Sequence, residues 1–317
     1  MRFPLRSVAV VSAVSAVAGL LCSGVAMLVA ASPACALDGK LALPQAAAYA
    51  SARGVRTGIA VIDLRNGRTW TAGDSGSFGT ASLVKTMIAT KIILDGQMNG
   101  ATADEAYEMI IGSNDGDATD LWNRFGGPDI IGDLAAHYGI QIGGPPLRAG
   151  MWGNTQITAL GMARFYVAVH RDRAVWPWLH NAMAHTKRIA DDGTMQYFGI
   201  PAAGGGHEVK QGWGTASAGD GYVPDAAVNS SGFVHTATSD YAVVILGQGH
   251  NDAGLADERG FEPVLGAVVT GVARLVLPII EQAAPGARSK PAPRAQPVTE
   301  TAVARPITPD AEGGSTC

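Results

Sequence analysis

The hydrophobic period of this chain changes near residue 200, and that change limits the fold more than any other feature. From residue 82 to about 199 the apolar residues recur at helical spacing. After that they come in three runs, 207–214, 227–235 and 241–248, that read as strands. The last run, Tyr241-Ala242-Val243-Val244-Ile245-Leu246-Gly247, is uncharged and apolar enough to lie in the middle of a sheet. A central strand needs a neighbour on each side. Two are the other late strands, and more come from residues 57–64 and 69–72. These two β-rich runs flank Arg65-Asn66-Gly67-Arg68, a strong hairpin signal. A short alanine-rich helix over 41–52, stopped by Gly54, precedes the hairpin, and a long apolar helix over 262–281 follows the strands.

The expected architecture is therefore α/β of the α+β kind: one antiparallel sheet flanked by helices, plus an all-helical lobe over about 82–200. Within that lobe, Thr102 with Glu105 reads as a capping box opening a helix over 102–111. Further helices are expected over 117–125, stopped by Gly126-Gly127-Pro128, and over 129–138, closed by Gly139. Residues 143–154 read as an irregular loop, and 158–170, 175–185 and 191–198 as helices. A cleft between the lobes is where a site is expected.

The ends differ from the body. Arg2 and Arg6 precede an uncharged apolar stretch over 7–31, and Ala34-Cys35-Ala36 gives a small-x-small site. Residues 1–36 thus read as a signal peptide. The apolar run is also long enough to span a bilayer, so an uncleaved N-terminal anchor is the alternative. Ser32-Pro33-Ala34-Cys35 is a poor lipobox and makes lipidation a minor reading. Residues 37–282 form the domain. Residues 283–317, rich in Pro and Ala with no periodicity, read as a disordered tail. The expected location is extracytoplasmic, secreted or in the cell envelope.

Composition excludes several classes. With 47% hydrophobic residues over 317, the chain can bury a substantial core, and its net charge of −4 offers no case for nucleic acid binding. Cys22, Cys35 and Cys317 lie in the leader and at the terminus. The body therefore holds neither a disulfide framework nor a thiolate metal site. There is no H-E-x-x-H, no G-x-S-x-G and no phosphate loop, so no metal and no organic cofactor are implied.

The residues that carry chemistry begin at Thr80-Ala81-Ser82-Leu83-Val84-Lys85. Ser82 and Lys85 are three apart at the start of an apolar helical run, which puts them on one face. A serine hydroxyl needs an adjacent base to act as a nucleophile, and a lysine with a lowered pKa can serve. A helix N-terminus supplies backbone N–H groups where an oxyanion would form. On its own, S-x-x-K reads as a capping serine and a solvated lysine. Two further motifs follow in order. Ser113-Asn114-Asp115 lies in a turn between helices, and Lys210-Gln211-Gly212-Trp213-Gly214 on the first late strand.

Together these three motifs resemble the signature of class A β-lactamases and penicillin-binding DD-peptidases: S-x-x-K, S-D-N or S-x-N, then K-[TS]-G. The resemblance covers about residues 41–280. It implies a β-lactamase/transpeptidase-like fold and a serine acyl-enzyme mechanism. Ser82 matches the nucleophile, Lys85 the lysine that helps deprotonate it, and Ser113 the proton relay to the leaving nitrogen. Lys210 matches the cation that tunes that serine and attracts a substrate carboxylate. The backbone N–H groups of Ser82 and Trp213 match the oxyanion hole. Asn114, Asp115, Gln211, Gly212 and Trp213 fall at substrate-binding positions. The implied partner is a small-molecule, peptide or β-lactam-like substrate, with cell-wall peptidoglycan a candidate and the membrane reached only through an uncleaved leader.

The chain also departs from the signature. Asp115 stands where the family has a neutral amide, and Gln211 where it has a hydroxyl. The Ser82-to-Ser113 gap is roughly half the usual length. Class A enzymes carry a glutamate in the loop corresponding to 143–158 that activates the deacylating water. Here that loop contains no carboxylate. The expectation is an enzyme that acylates but turns over β-lactams poorly, with Asn154 or Gln156 as neutral water-holders. The rival is a non-catalytic protein on the same fold that binds cell-wall peptide. Other polar residues have plain structural readings: His207 and His235 as structural or exposed histidines, Asp191-Asp192 as a helix start, and Trp122, Trp176 and Trp178 as packing.

Overall fold

The computed structural model describes residues 42–146, 149–206, 208–215, 225–237, 239–250 and 262–282. The leader over 1–36, the tail from 283, all three cysteines and His207 lie outside them. Helix α1 (Ala42–Ser51) leads into the hairpin β1 (Val55–Asp63) and β2 (Thr69–Gly73). The turn is tied by the Asp63 carboxylate, which accepts from Arg65 N and Asn66 Nδ2, and Gly67 takes φ 74°. A short strand β3 (Phe78–Gly79) then delivers the chain to α2 (Val84–Leu94). The helical lobe continues with α3 (Gly100–Ile111), α4 (Asp115–Arg124) and α5 (Asp129–Tyr138). Strands β4 (Gly143–Pro146) and β5 (Thr155–Ile157) follow, then α6 (Ala159–Arg171) and α7 (Trp176–Ala184). Strands β6 (Val209–Thr215), β7 (Asp225–His235) and β8 (Asp240–His250) and the helix α8 (Glu262–Gln282) complete the described chain.

The main sheet is antiparallel with order β2-β1-β8-β7-β6, so β8 is central. Its unbroken apolar sequence has a simple cause. Val243 and Ile245 pack against α1 and α8, while Ala242, Val244 and Leu246 pack against the helical lobe. A strand covered on both faces shows no alternation. Helix α2 is buried almost all round, and its threonines close their hydroxyls internally, Thr86 Oγ1 onto Leu83 O and Thr90 Oγ1 onto Thr86 O. It is the axis of the helical lobe.

Three local expectations give way. The helix expected from Thr102 starts at Gly100 with Asn99 as its cap, and Thr102 and Glu105 both pair with Arg124 of α4 instead. A charged cross-helix contact outcompetes the local box. Residues 191–198 form no helix. Asp192 accepts from Thr194 N, Gly193 takes φ 91°, and a bridge joins Ile189 to Met195. Asp-Gly at this point selects a turn. Residues 143–154 are less irregular than expected, since β4 and β5 join β3 in a second, three-stranded sheet.

Two features fix the edge strand β6. At its start Glu208 bridges two histidines, His180 Nε2 at 3.0 Å and His235 Nε2 at 2.7 Å, and His235 Nδ1 pairs with Asp240 at 2.7 Å. Further along, Gly212 lets the strand press on the turn before α2. A Cβ there would lie 2.8 Å from Thr80 O and 3.1 Å from Ser82 N.

Two outcomes follow. Gly212→Ala forces backbone away from backbone, and overpacking of this kind costs about 1–3 kcal/mol, read as a lower urea midpoint. The hydrogen bond to Glu208 raises the His235 pKa from 6.5 to about 9, with burial opposing and Asp240 adding to it. A raised folded-state pKa contributes stability that is fully present below pH 6.5 and lost as pH rises through about 9. The urea midpoint of the wild type should fall across that window, and His235→Gln should flatten the fall.

Candidate active site

Ser82 lies in a single 3-10 turn, Ala81–Leu83, one residue before the cap of α2 rather than at it. The turn is held on three sides. Thr80 N donates to Thr155 O at 2.9 Å, and Thr80 Oγ1 to Gly153 O at 3.2 Å. From the sheet, buried Asn229 of β7 donates to Gly79 O at 2.9 Å and Thr80 O at 3.1 Å. Ala81 takes φ 45°, a left-handed conformation that costs a non-glycine residue roughly 1–2 kcal/mol. So bound, the turn places Ser82 in a cleft of about 270 Å³ that Asp115, Trp152, Asn154 and Trp213 also line.

Lys85, in the first turn of α2, is fully buried. Its amine donates to Ser113 O at 2.6 Å, Ser113 Oγ at 3.1 Å and Asp115 Oδ1 at 2.5 Å. An ammonium has three hydrogens, and the second motif takes all three. Among the described residues the Ser82 hydroxyl has no hydrogen-bond partner. Lys210, on β6 and also fully buried, donates to Ser113 Oγ at 2.9 Å and Gln211 O at 3.2 Å. Ser113 follows α3 with φ 55°, so its hydroxyl sits between the two amines.

The electrostatics follow from that arrangement. Burial lowers the Lys85 pKa, and Asp115, then Asp192 and Asp191, pull it back up. Burial lowers Lys210 well below the usual lysine range, and the Lys85 charge lowers it further. Two amines on one hydroxyl are a coupled pair. Asp115 beside Lys85 favours keeping the shared charge there and leaves Lys210 as the freer amine. When both amines donate to Ser113 Oγ, both its lone pairs are occupied and its own hydrogen is free to point elsewhere.

The structure thus brings together Ser82, Lys85, Ser113, Asp115 and Lys210, with Gly212 against the Ser82 turn and Trp213 in the cleft wall. It does not bring Asn114 or Gln211 to the cleft. Asn114 caps α4, accepting from Asp117 N at 2.9 Å, and donates to Asp191 at 3.1 Å. Gln211 is fully buried with its amide on Phe198 O. Alternation along β6 sends it to the opposite face from Lys210. In the 143–158 loop Asn154 lines the cleft, with its Nδ2 buried and unpartnered, while Gln156 turns back onto Asn154 O at 2.8 Å.

Three contributors escape sequence reasoning. Trp152 has the Lys85 amine 4.9 Å from its ring centroid and its Nε1 on Thr119 Oγ1 at 3.1 Å. Asp192 accepts from Trp213 Nε1 at 2.9 Å. Asn229 ties the Ser82 turn to the sheet. Only Asn229 leaves a signal, as an amide within the apolar and hydroxyl-bearing stretch 226–234.

No family model matches the sequence. Proteins named "Putative lipoprotein LppW" from Mycobacterium bovis and Mycobacterium tuberculosis are 30% identical over 181 residues, 53% of this chain. The chain spans 57% of their length. Among solved structures, a β-lactamase from Chitinophaga pinensis aligns with 77% of this chain and 98% of its own, at TM-score 0.58 and 16% identity. An ancestral class A β-lactamase (GNCA) aligns with 74% of this chain and 99% of its own, at TM-score 0.55 and 18% identity. At such identity the likeness is one of fold, and the fold of this chain is β-lactamase-like.

Proposed function

We propose that this chain is an extracytoplasmic serine hydrolase that forms an acyl-enzyme through Ser82 and turns over β-lactams slowly if at all. The observation that carries the reading is the convergence of two buried lysine amines on the Ser113 hydroxyl beside a cleft that holds Ser82. Such an arrangement costs stability, since each buried amine loses hydration, and it is the kind of perturbed cluster found at functional sites. The lipoprotein name of the mycobacterial relatives supports a place in the cell envelope.

In this mechanism Ser82 Oγ attacks an amide, ester or β-lactam carbonyl, and its proton passes to the Lys85–Ser113–Lys210 group. The pair must hold one free amine to accept it. The backbone N–H groups of Ser82 and Trp213 stabilise the oxyanion, and one such donor is worth about 10²–10³ in rate. Ser113 delivers a proton to the leaving group as the tetrahedral intermediate collapses. Water then attacks the acyl-enzyme. With no carboxylate in the 143–158 loop, general base assistance of about 10²–10⁴ is missing at that step, and Asn154 is the side chain in place to hold the water.

A second reading has its own observation. All three Lys85 hydrogens are held by Ser113 and Asp115, away from Ser82. A site frozen in that state binds peptide without attacking it.

A fluorophosphonate or fluorescent penicillin separates the two. The hydrolase reading expects one label at Ser82, lost in Ser82→Ala. A folded protein that neither reagent labels supports the binding reading. Nitrocefin hydrolysis at ordinary β-lactamase rates would contradict the slow-deacylation part. Asp115 stabilises the protonated pair, so Asp115→Asn should move the acylation pH profile to lower pH, measured as labelling rate against pH.

A further inference from the structure

Apart from the Asn154 amide, whose Nδ2 is buried and unpartnered, the side-chain donors around the cleft are already taken. Trp152 Nε1 donates to Thr119 Oγ1, and that hydroxyl donates to Asp115 O at 2.9 Å. Trp213 Nε1 donates to Asp192. The Lys85 hydrogens go to Ser113 and Asp115, the Gln211 amide to Phe198 O, and the Lys210 amine to Ser113 and Gln211 O. Both lysines are wholly buried. A substrate carboxylate entering this cleft finds no free cation or hydroxyl among these groups apart from Ser82 itself.

The cleft does offer a negative charge. The Asp115 side chain is 60% exposed while Lys85, its ion-pair partner, is 0% exposed, so the cleft faces the carboxylate and not the ammonium. One Asp115 oxygen takes the Lys85 bond, and the other has no protein partner among the described residues. Trp152, whose ring lies 4.9 Å from the Lys85 amine, lines the same cleft, as does Trp213. A carboxylate in a cleft lined by tryptophan suits a cation, which gains both charge pairing and ring attraction.

We propose that the cleft takes an acyl donor bearing an ammonium group close to the scissile carbonyl, with Asp115 as its counter-ion and Trp152 and Trp213 as its walls. Substrates that carry a carboxylate at that place are disfavoured. The inference rests on the hydrolase reading and narrows it to a substrate class, cationic esters or amides.

The test uses three p-nitrophenyl esters of matched length, ending in a trimethylammonium, a methyl or a carboxylate group. The rate read is that of Ser82 acylation, from the p-nitrophenolate burst. At low salt the ammonium ester should acylate roughly tenfold or more faster than the carboxylate ester, with the methyl ester between, and added salt should shrink the spread. In Asp115→Asn the ratio should fall to within about twofold, whatever happens to the absolute rate. Equal rates in the wild type, a faster carboxylate ester, or an unchanged ratio in Asp115→Asn would each overturn the charge preference while leaving the hydrolase reading standing. If no ester gives a burst that depends on Ser82, the hydrolase reading fails and this inference fails with it.

Discussion

Two amines and one hydroxyl, packed where water cannot reach, set the terms for everything around them. Lys85 and Lys210 meet at Ser113 Oγ from opposite lobes, one on the axial helix of the helical lobe and the other on the edge strand of the sheet. Like charges at that separation repel, and burial removes the solvent that would screen them. The arrangement persists because Asp115 neutralises one amine and because the backbone on both sides is fixed. Gly212, the Asn229 amide and the Thr80 contacts are all parts of that fixing. The fold serves as a clamp on three side chains that would otherwise move apart.

Much of the architecture was legible in the sequence, for physical reasons that can be named. The uniform apolar run of β8 and the Asn-Gly turn between β1 and β2 are local features with few alternatives, and they specify the sheet. The three motifs pointed to Ser82, Lys85, Ser113 and Lys210, which lie at or beside one cleft, because type and spacing survive in a linear reading. What was hidden depends on partners distant in the chain. Arg124 drew Thr102 and Glu105 out of a capping box, and strand alternation turned Gln211 to the face away from the cleft. Trp152 sits in a stretch without periodicity, where nothing marks one residue over another. The Asp191-Asp192-Gly193 step misled because its acidic residues suit a helix start as well as the turn they form.

Under the proposed hydrolase reading, Asp115 in place of a neutral amide and the missing loop carboxylate act in the same direction. The first stabilises the lysine as a cation and the second leaves the attacking water unassisted, so both would slow the cycle. A slow cycle suits a protein whose product is a long-lived covalent adduct, or one whose natural substrate brings its own assistance to the second step.

The left-handed backbone at Ala81 and Ser113 has a consequence for how such a sequence drifts. Glycine at either position would release the strain and make the chain easier to fold. A lineage that had abandoned the chemistry would have nothing to set against that gain, and its descendants should accumulate glycine there. An alanine and a serine in those two seats are what the proposed reading expects of a surface still shaped for another molecule.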